Sequence, residues 1–317
     1  MTKADHRLFE QKANSFFDDL PIDSFESVDC ILCNNSDTIT HLFNKGSMSV
    51  VRCKCGLIFN QRQANNKALG NFYELSDAMK TWSLLKESTS EMVRQSQKFS
   101  KAAKYIAVNH FKSVCDVGCG NGSFLNNVSF HTKGRDIKLF GFDTHPESIE
   151  EARKKGVAAK VSTIDDFLDN DKNTFDCLTL WGVVEHVKDP VKLLSRLKDR
   201  LNDNGKIIIC VPNADSLVVR TLWRDTYTFC PQHLWYFGVN TVDALFRKSG
   251  LEIEDLWTIE PEVIPSIKQN LGYQPYKELE NDWDKERIST EMVLSLSRDI
   301  LNKHQGYKIV SIARKSQ

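Results

Sequence analysis

Three groups of residues in this chain could do chemistry. The first is a glycine loop, Asp116-Val117-Gly118-Cys119-Gly120-Asn121-Gly122. Glycines let the backbone turn sharply and let a ligand come close where any Cβ would obstruct it. The second is a cysteine quartet, Cys30-Ile31-Leu32-Cys33 and Cys53-Lys54-Cys55-Gly56, whose two pairs are separated by residues 34–52. That layout lets two knuckles pinch one tetrahedral ion such as Zn2+. The third is a pair of histidines, His186 and His233, a residue type that titrates near neutrality and can move protons.

Elements that would position these groups follow from periodicity. Ser113 to Val117 is β-branched and apolar, a buried parallel strand, and Phe124, Leu125 and Val128 recur at helical spacing after the glycines. A small ligand would then sit at a helix N-terminus. Lys138 to Phe142 forms the next strand and ends in Asp143, an acid placed to bond ribose hydroxyls. Pro146 opens a helix after it, Val157 to Val161 reads as a third strand, and Phe175 to Trp181 as a fourth. A helix with Val191, Leu194, Leu197 and Leu201 on one face precedes a fifth strand, Lys206 to Asn213. Five strand-helix alternations predict a doubly wound α/β parallel sheet.

Beyond it, Asn240 and Asp243 are read as a capping pair for a helix through Val242, Leu245 and Phe246 that Gly250 ends. Leu251 to Ile259 and Tyr307 to Ile312 read as strands. An insertion at about 260–305, helical from Asp282 to Leu301, is open to being a lid, a homodimer contact or mere packing. Residues 1–27, with Phe9, Phe16 and Phe17 among charges, read as a packing helix or a partner-binding arm.

The spacing G-x-G-x-G, with Ser123 at the third-glycine place of the dinucleotide fingerprint, weighs against an NAD-dependent oxidoreductase. Together with Asp116 it resembles the first motif of class I S-adenosylmethionine (SAM)-dependent methyltransferases. The strand Phe175-Asp176-Cys177-Leu178-Thr179-Leu180-Trp181 running into Gly182-Val183-Val184-Glu185-His186-Val187-Lys188-Asp189-Pro190 resembles that family's "FD-strand-LEHV-DP" signature more specifically. A ribbon reading CxxC…CxCG-L-I-F-N ahead of such a domain resembles a bacterial group acting on nucleotide-linked or antibiotic sugars and other surface-glycan precursors. The resemblance runs from Cys30 to Gly250 and takes in the last strand. It also echoes zinc-bearing ribosomal RNA methyltransferases.

This resemblance implies a seven-stranded Rossmann-like sheet with its last strand antiparallel. It implies an arm at 1–27, a zinc ribbon at 28–60, a helical linker over the active site at 61–110, and a methyltransferase domain at 111–317. SAM would be held by Asp116, Gly118, Cys119, Gly120, Gly122, Asp143, Thr144, Trp181 and Gly182, with Thr163 and Ile164 around the adenine. A structural Zn2+ would sit on Cys30, Cys33, Cys53 and Cys55. The second knuckle is C-x-C-G rather than C-x-x-C-G, which leaves His41 as a substitute ligand.

A sulfonium methyl is already activated, so the protein must hold the nucleophile in line with it. A hydroxyl or carbon acid needs a base as well. By resemblance His186 and His233 are the candidates, and Tyr73 lies in a segment that folds over the site in related enzymes. Histidine also caps backbone or fills gaps, so both readings stay open. In the sugar C-methyltransferases a Glu-His pair does this work. Here Gln232 precedes His233, leaving O-, N- and C-methylation open. Arg220 and Arg224, four apart, would share a helix face and could grip a diphosphate.

Composition narrows the partners. The 317 residues carry 42 Lys+Arg against 42 Asp+Glu, whereas a nucleic-acid binder usually needs a basic excess for phosphate contacts. The expected partner is a small, sugar-nucleotide-like molecule rather than RNA or DNA. No apolar run approaches the roughly 20 residues of a membrane helix, and Met1-Thr2-Lys3-Ala4-Asp5-His6 lacks a secretory core. A cytoplasmic protein is expected, in which Cys115, Cys119, Cys177, Cys210 and Cys230, scattered outside the quartet, argue for thiols over disulfides. A domain that binds SAM without turnover fits the same sequence.

Overall fold

In the computed structural model, residues 3–34, 38–86, 89–259 and 290–316 are described. Phe9, Ala13 and Phe17 fall at helical spacing and are buried, so α1 (Lys3–Asp18) packs one apolar face inward. Phe9 meets Trp82, and Phe16 and Phe17 meet Phe72. Five short strands follow: β1 (Phe25–Ser27), β2 (Ile39–Lys45), β3 (Met48–Cys53), β4 (Ile58–Asn60) and β5 (Arg62–Ala64). β2, β3 and β4 form an antiparallel meander, while β1 pairs with β5. Helices α2 (Asn66–Leu75), α3 (Asp77–Lys86) and α4 (Thr89–Val108) then lead into the second half. Asn65 caps α2 by accepting from the Ala68 amide at 3.0 Å.

The second half alternates strand and helix: β6 (Ser113–Val117), α5 (Ser123–His131), β7 (Lys138–Asp143), α6 (Pro146–Lys154), β8 (Ala158–Val161), α7 (Ile164–Asn170), β9 (Phe175–Trp181), α8 (Pro190–Lys198) and β10 (Leu201–Pro212). After α9 (Leu217–Leu222) come β11 (Trp235–Tyr236), α10 (Val239–Lys248), β12 (Leu251–Ile259) and β13 (Lys308–Lys315). Seven strands make one sheet in the order β12-β13-β10-β9-β6-β7-β8. β13 runs antiparallel to both neighbours, and the pairs among β10, β9, β6, β7 and β8 are parallel. The expected doubly wound methyltransferase sheet, last strand reversed, is the one present. Strand order changes direction between β6 and β9, and an open α/β sheet takes its ligand at the carboxyl ends of such a pair.

Two local readings are corrected. Leu201 is not on the α8 face: the helix ends at Lys198 and Leu201 begins β10, where it is buried. Asn240 and Asp243 do not cap α10, because the helix starts at Val239 and both lie inside it. Gly238 is the cap, its amide donating to Thr241 Oγ1 at 2.8 Å. The insertion is described only from its helix Thr290–Asn302, where Ile300 is buried and the Leu301 carbonyl accepts from Thr258 Oγ1 of β12. Residues 260–289 lie outside the described residues.

β11 adds to the N-terminal meander, pairing with β4 to give the sheet β11-β4-β3-β2. The ribbon and the segment carrying His233 are thereby parts of one sheet-and-loop unit.

Candidate functional site

A cavity of about 420 Å³ opens at the switch point between β6 and β9. At one end the chain turns through Gly118, Gly120 and Gly122 with φ of 68°, 51° and 71°, values L-residues rarely adopt. A Cβ on Gly118 would stand 2.9 Å from Val183 Cγ2. Asp143, at the end of β7, fixes the loop: Oδ2 accepts from the Gly120 amide at 2.9 Å and Oδ1 from the His145 amide at 3.0 Å. Asp116 is buried and accepts from Thr179 Oγ1 at 2.6 Å. Trp181 packs on Phe99 and Phe124 with centroids 4.7 and 4.8 Å away, and its indole N–H is buried without a partner. A buried donor without a partner costs free energy unless a ligand takes its bond. A glycine cradle, two carboxylates and an unspent N–H fit an adenosyl amino acid.

The other end holds Tyr73, Glu185, His186, Tyr227, Gln232 and His233, roofed by Phe9, Phe72, Met79 and Trp82. His233 Nδ1 lies 2.8 Å from the Thr228 carbonyl. A carbonyl only accepts, so Nδ1 carries the proton and Nε2 presents its lone pair. Burial first, and the neighbouring His186 second, hold the His233 ring well below its usual pKa, which keeps it neutral with Nε2 unprotonated. His186 Nδ1 is 2.8 Å from the Gln232 carbonyl and 2.8 Å from Tyr73 Oη. The carbonyl again requires Nδ1–H, so the Tyr73 oxygen accepts a share of that proton and its own O–H remains available. Burial pushes the Tyr73 and Tyr227 phenols well above their usual pKa, so both remain hydroxyl donors. Gln232 Nε2 donates to Tyr227 Oη at 2.9 Å.

Leu234 ties this end to the ribbon. Its amide donates to the Glu185 carbonyl at 2.8 Å, and its carbonyl accepts from the Asn60 amide of β4 at 3.0 Å. Lys45 of β2 adds a second tie through Nζ, which donates to the Thr226 carbonyl at 3.2 Å and the Phe229 carbonyl at 2.9 Å.

The four ribbon cysteines converge, with ligand atoms all within 4.8 Å of one another. Cys30 and Cys55 sulfurs are 3.5 Å apart, Cys33 and Cys53 3.2 Å, too long for disulfide bonds. Sulfurs held at about 2.3 Å from one zinc stand about 3.8 Å apart, so the set fits a tetrahedral ion. Burial pushes the Cys53 thiol up, but the Cys55 amide and the Thr38 hydroxyl outweigh it and bring the pKa down to about 6. Burial raises Cys30 and Cys55, the cost a cation would offset. The shortened knuckle needs no substitute ligand: His41 is exposed on β2, bonded to Asn44 Oδ1 at 3.0 Å.

A family model described as a methyltransferase domain matches residues 87–256, more than half of the chain. The chain belongs to this methyltransferase-domain family. Among curated relatives, a tRNA U34 carboxymethyltransferase of Campylobacter curvus is 30% identical over 156 residues, 47% of this chain and 49% of that protein. A ubiquinone biosynthesis O-methyltransferase of Xanthomonas axonopodis pv. citri is 27% identical over 160 residues, 45% and 64%. The chain spans about half the length of the first of these and under two thirds of the second. Two solved structures share the fold. The plantazolicin methyltransferase BpumL in complex with SAH has a TM-score of 0.51 at 18% identity, covering 78% of this chain and 94% of its own. The magnesium protoporphyrin IX methyltransferase ChlM of Synechocystis PCC 6803 with bound SAH has 0.52 at 13%, covering 79% and 100%.

In this methyltransferase-domain chain the cavity wall gathers most of the residues singled out from the sequence: Asp116, Gly118, Cys119, Gly120, Asp143, Thr144, Ile164, Trp181 and Gly182 at one end, Tyr73, His186 and His233 at the other. Gly122 and Thr163 are not on it. Gly122 is the N-cap residue of α5, and the Thr163 hydroxyl is spent accepting from the Asp166 amide at 3.0 Å as the cap of α7. Arg220 and Arg224 do not share a helix face, because α9 ends at Leu222 and Trp223 adopts φ 48°; neither lines the cavity. Phe9, Glu185 and Tyr227 reach the wall without having been picked out as site residues. For Glu185 the signal was present, since it adjoins His186 in the turn that follows β9.

Proposed function

We propose that this protein transfers the methyl group of SAM to a small acceptor, a nucleotide-linked sugar or a related surface-glycan or secondary-metabolite precursor. The observation that carries the reading is one cavity with two unlike ends, a glycine cradle with carboxylates at one and two histidines among tyrosines at the other. SAM would supply a carbon already activated for displacement. Asp116, Gly118, Gly120, Asp143 and Trp181 would hold it at the switch point. His233 is the proposed base, its Nδ1–H committed to the Thr228 carbonyl and Nε2 free. His186 and Tyr73 orient the acceptor. Cys30, Cys33, Cys53 and Cys55 would hold a structural Zn2+, supporting the loop from Tyr227 to His233.

A second reading draws on the tRNA U34 carboxymethyltransferase similarity, with RNA as acceptor. The equal count of 42 basic and 42 acidic residues weighs against it.

The deciding experiment incubates the protein with deuteromethyl-labelled SAM and either a bacterial small-molecule extract or bulk tRNA, followed by mass spectrometry. A labelled nucleotide sugar is the expected product. Label only in tRNA would replace this reading with the second, and SAM binding without any label would leave a binding module.

A further inference from the structure

The acceptor end of the cavity has an unusual hydrogen-bonding balance. Both histidines spend their Nδ1–H on backbone carbonyls, so in the neutral rings both Nε2 atoms accept. Glu185 is 3% exposed and its Oε2 is buried with no partner; Gln232 is 3% exposed and its Oε1 is likewise unpartnered. His186 Nε2 lies 3.9 Å from Glu185 Oε1, and the two imidazole centroids are 4.7 Å apart. Four acceptors, one of them a carboxylate, therefore border one small space. Donors on the same wall are the Tyr73, Tyr227 and Tyr307 hydroxyls and the Lys98 and Lys308 ammonium groups; Tyr227 already receives a bond from Gln232, and the ion contact of Glu185 is with His186.

Buried polar atoms without partners are costly, and a buried carboxylate more so. A ligand that satisfies this end must bring several donors and, for Glu185, positive charge. A hydroxyl brings one donor and no charge. An ammonium group brings three N–H donors and a full charge, enough to satisfy Glu185, Gln232 and one imidazole at a time.

We infer that the group methylated is an amine, bound as an ammonium ion with Glu185 as its counter-ion. This rests on the reading of the cavity as a SAM-dependent active site and names its acceptor class. The chemistry balances: one ammonium proton passes to His233 Nε2, and the freed nitrogen lone pair forms the bond to the methyl carbon. The carbon–sulfur bond breaks with its electron pair left on sulfur. The sulfonium charge passes to nitrogen, and the product is a methylammonium group. Glu185 is then a specificity residue that holds the substrate and takes no proton.

The test is binding, read by calorimetry on the full chain saturated with SAH, using cyclohexylamine and cyclohexanol as matched probes at neutral pH. The amine should bind about tenfold or more tightly than the alcohol, the size of a charge-assisted contact. In Glu185→Gln that preference should shrink to about threefold or less while SAH affinity holds. Equal binding of the two probes, binding of neither, or an amine preference untouched in E185Q would overturn the inference. Displacement of the amine by Mn2+ would overturn it too, making Glu185, His186 and His233 a metal cage instead. Failure of SAH itself to bind would strike at the active-site reading, a result visible before any probe is added. In wild type the comparison of probes stands by itself if E185Q does not fold.

Discussion

Lys45→Met perturbs the site from the ribbon, through a side chain that does not line the cavity. Nζ of Lys45 donates to the Thr226 and Phe229 carbonyls, which bracket Tyr227 and Thr228, and the Thr228 carbonyl holds the His233 proton. Hydrogen bonds to a charged group contribute about 1.5–3 kcal/mol each. Burial pushes the Lys45 pKa down, so part of that strength already offsets desolvation. The Thr226 carbonyl also keeps a bond from the Phe229 amide. A net loss of about 2 kcal/mol in urea unfolding is therefore expected, nearer one charged bond than two. Freed at both ends, the Tyr227–Thr228 pair would no longer fix the His233 tautomer, and a misplacement of about 1 Å costs turnover on the order of 100-fold. Since Lys45 does not line the cavity, SAH affinity should stay within about twofold. Nitrogen-15 NMR of the His233 ring reads the tautomer without needing a substrate. If K45M lost stability while His233 kept a single Nδ1–H tautomer, or if SAH affinity fell with turnover, Lys45 would not be coupled to His233.

Three further outcomes are expected. Gly118→Ala places a Cβ 2.9 Å from Val183 Cγ2 at φ 68°, a strain of about 1–2 kcal/mol, so calorimetry should show SAH binding weakened about tenfold; unchanged affinity would remove this loop from the cofactor site. His233 is held below its usual 6.5 in the fold, so the unfolded chain binds the extra proton, stability is full above about pH 6.5 and falls as pH drops below it. Urea midpoints measured against pH should show that slope in wild type and a shallower one in His233→Gln. Metal analysis should find one zinc per chain, and its removal by a chelator should release β11 with the ribbon and alter Trp235 fluorescence, because Trp235 pairs with Phe59 of β4; a chain that holds no zinc, or whose Trp235 signal ignores its loss, would refute the ribbon's role.

The cofactor end was legible because it is built from local sequence. A strand, a glycine turn and a helix are contiguous from Ser113 to Val128, and Asp143 and Trp181 each end a strand whose apolar run announces it. Thr163 shows the complementary case: nothing local tells whether a hydroxyl faces a ligand or caps its own helix, and here its oxygen accepts from the Asp166 amide. The acceptor end was only half legible. His186 and His233 stand out as residue types, but what makes them useful is the pair of carbonyls at Thr228 and Gln232 that fix their protons, and backbone direction leaves no mark on composition. Tyr227 is a wall residue whose hydroxyl accepts from Gln232. Least legible was the union of ribbon and catalytic half. A two-residue strand, Trp235–Tyr236, carries no periodicity, and its partner Ile58–Phe59 lies far back in the chain. Yet that pairing, with the Asn60 amide bonded to the Leu234 carbonyl, joins a four-stranded sheet to the chain one residue after His233. A cysteine knuckle that looked like a separate accessory is thus hydrogen-bonded to the loop that carries His233, and in its shortened C-x-C form the four sulfurs still converge.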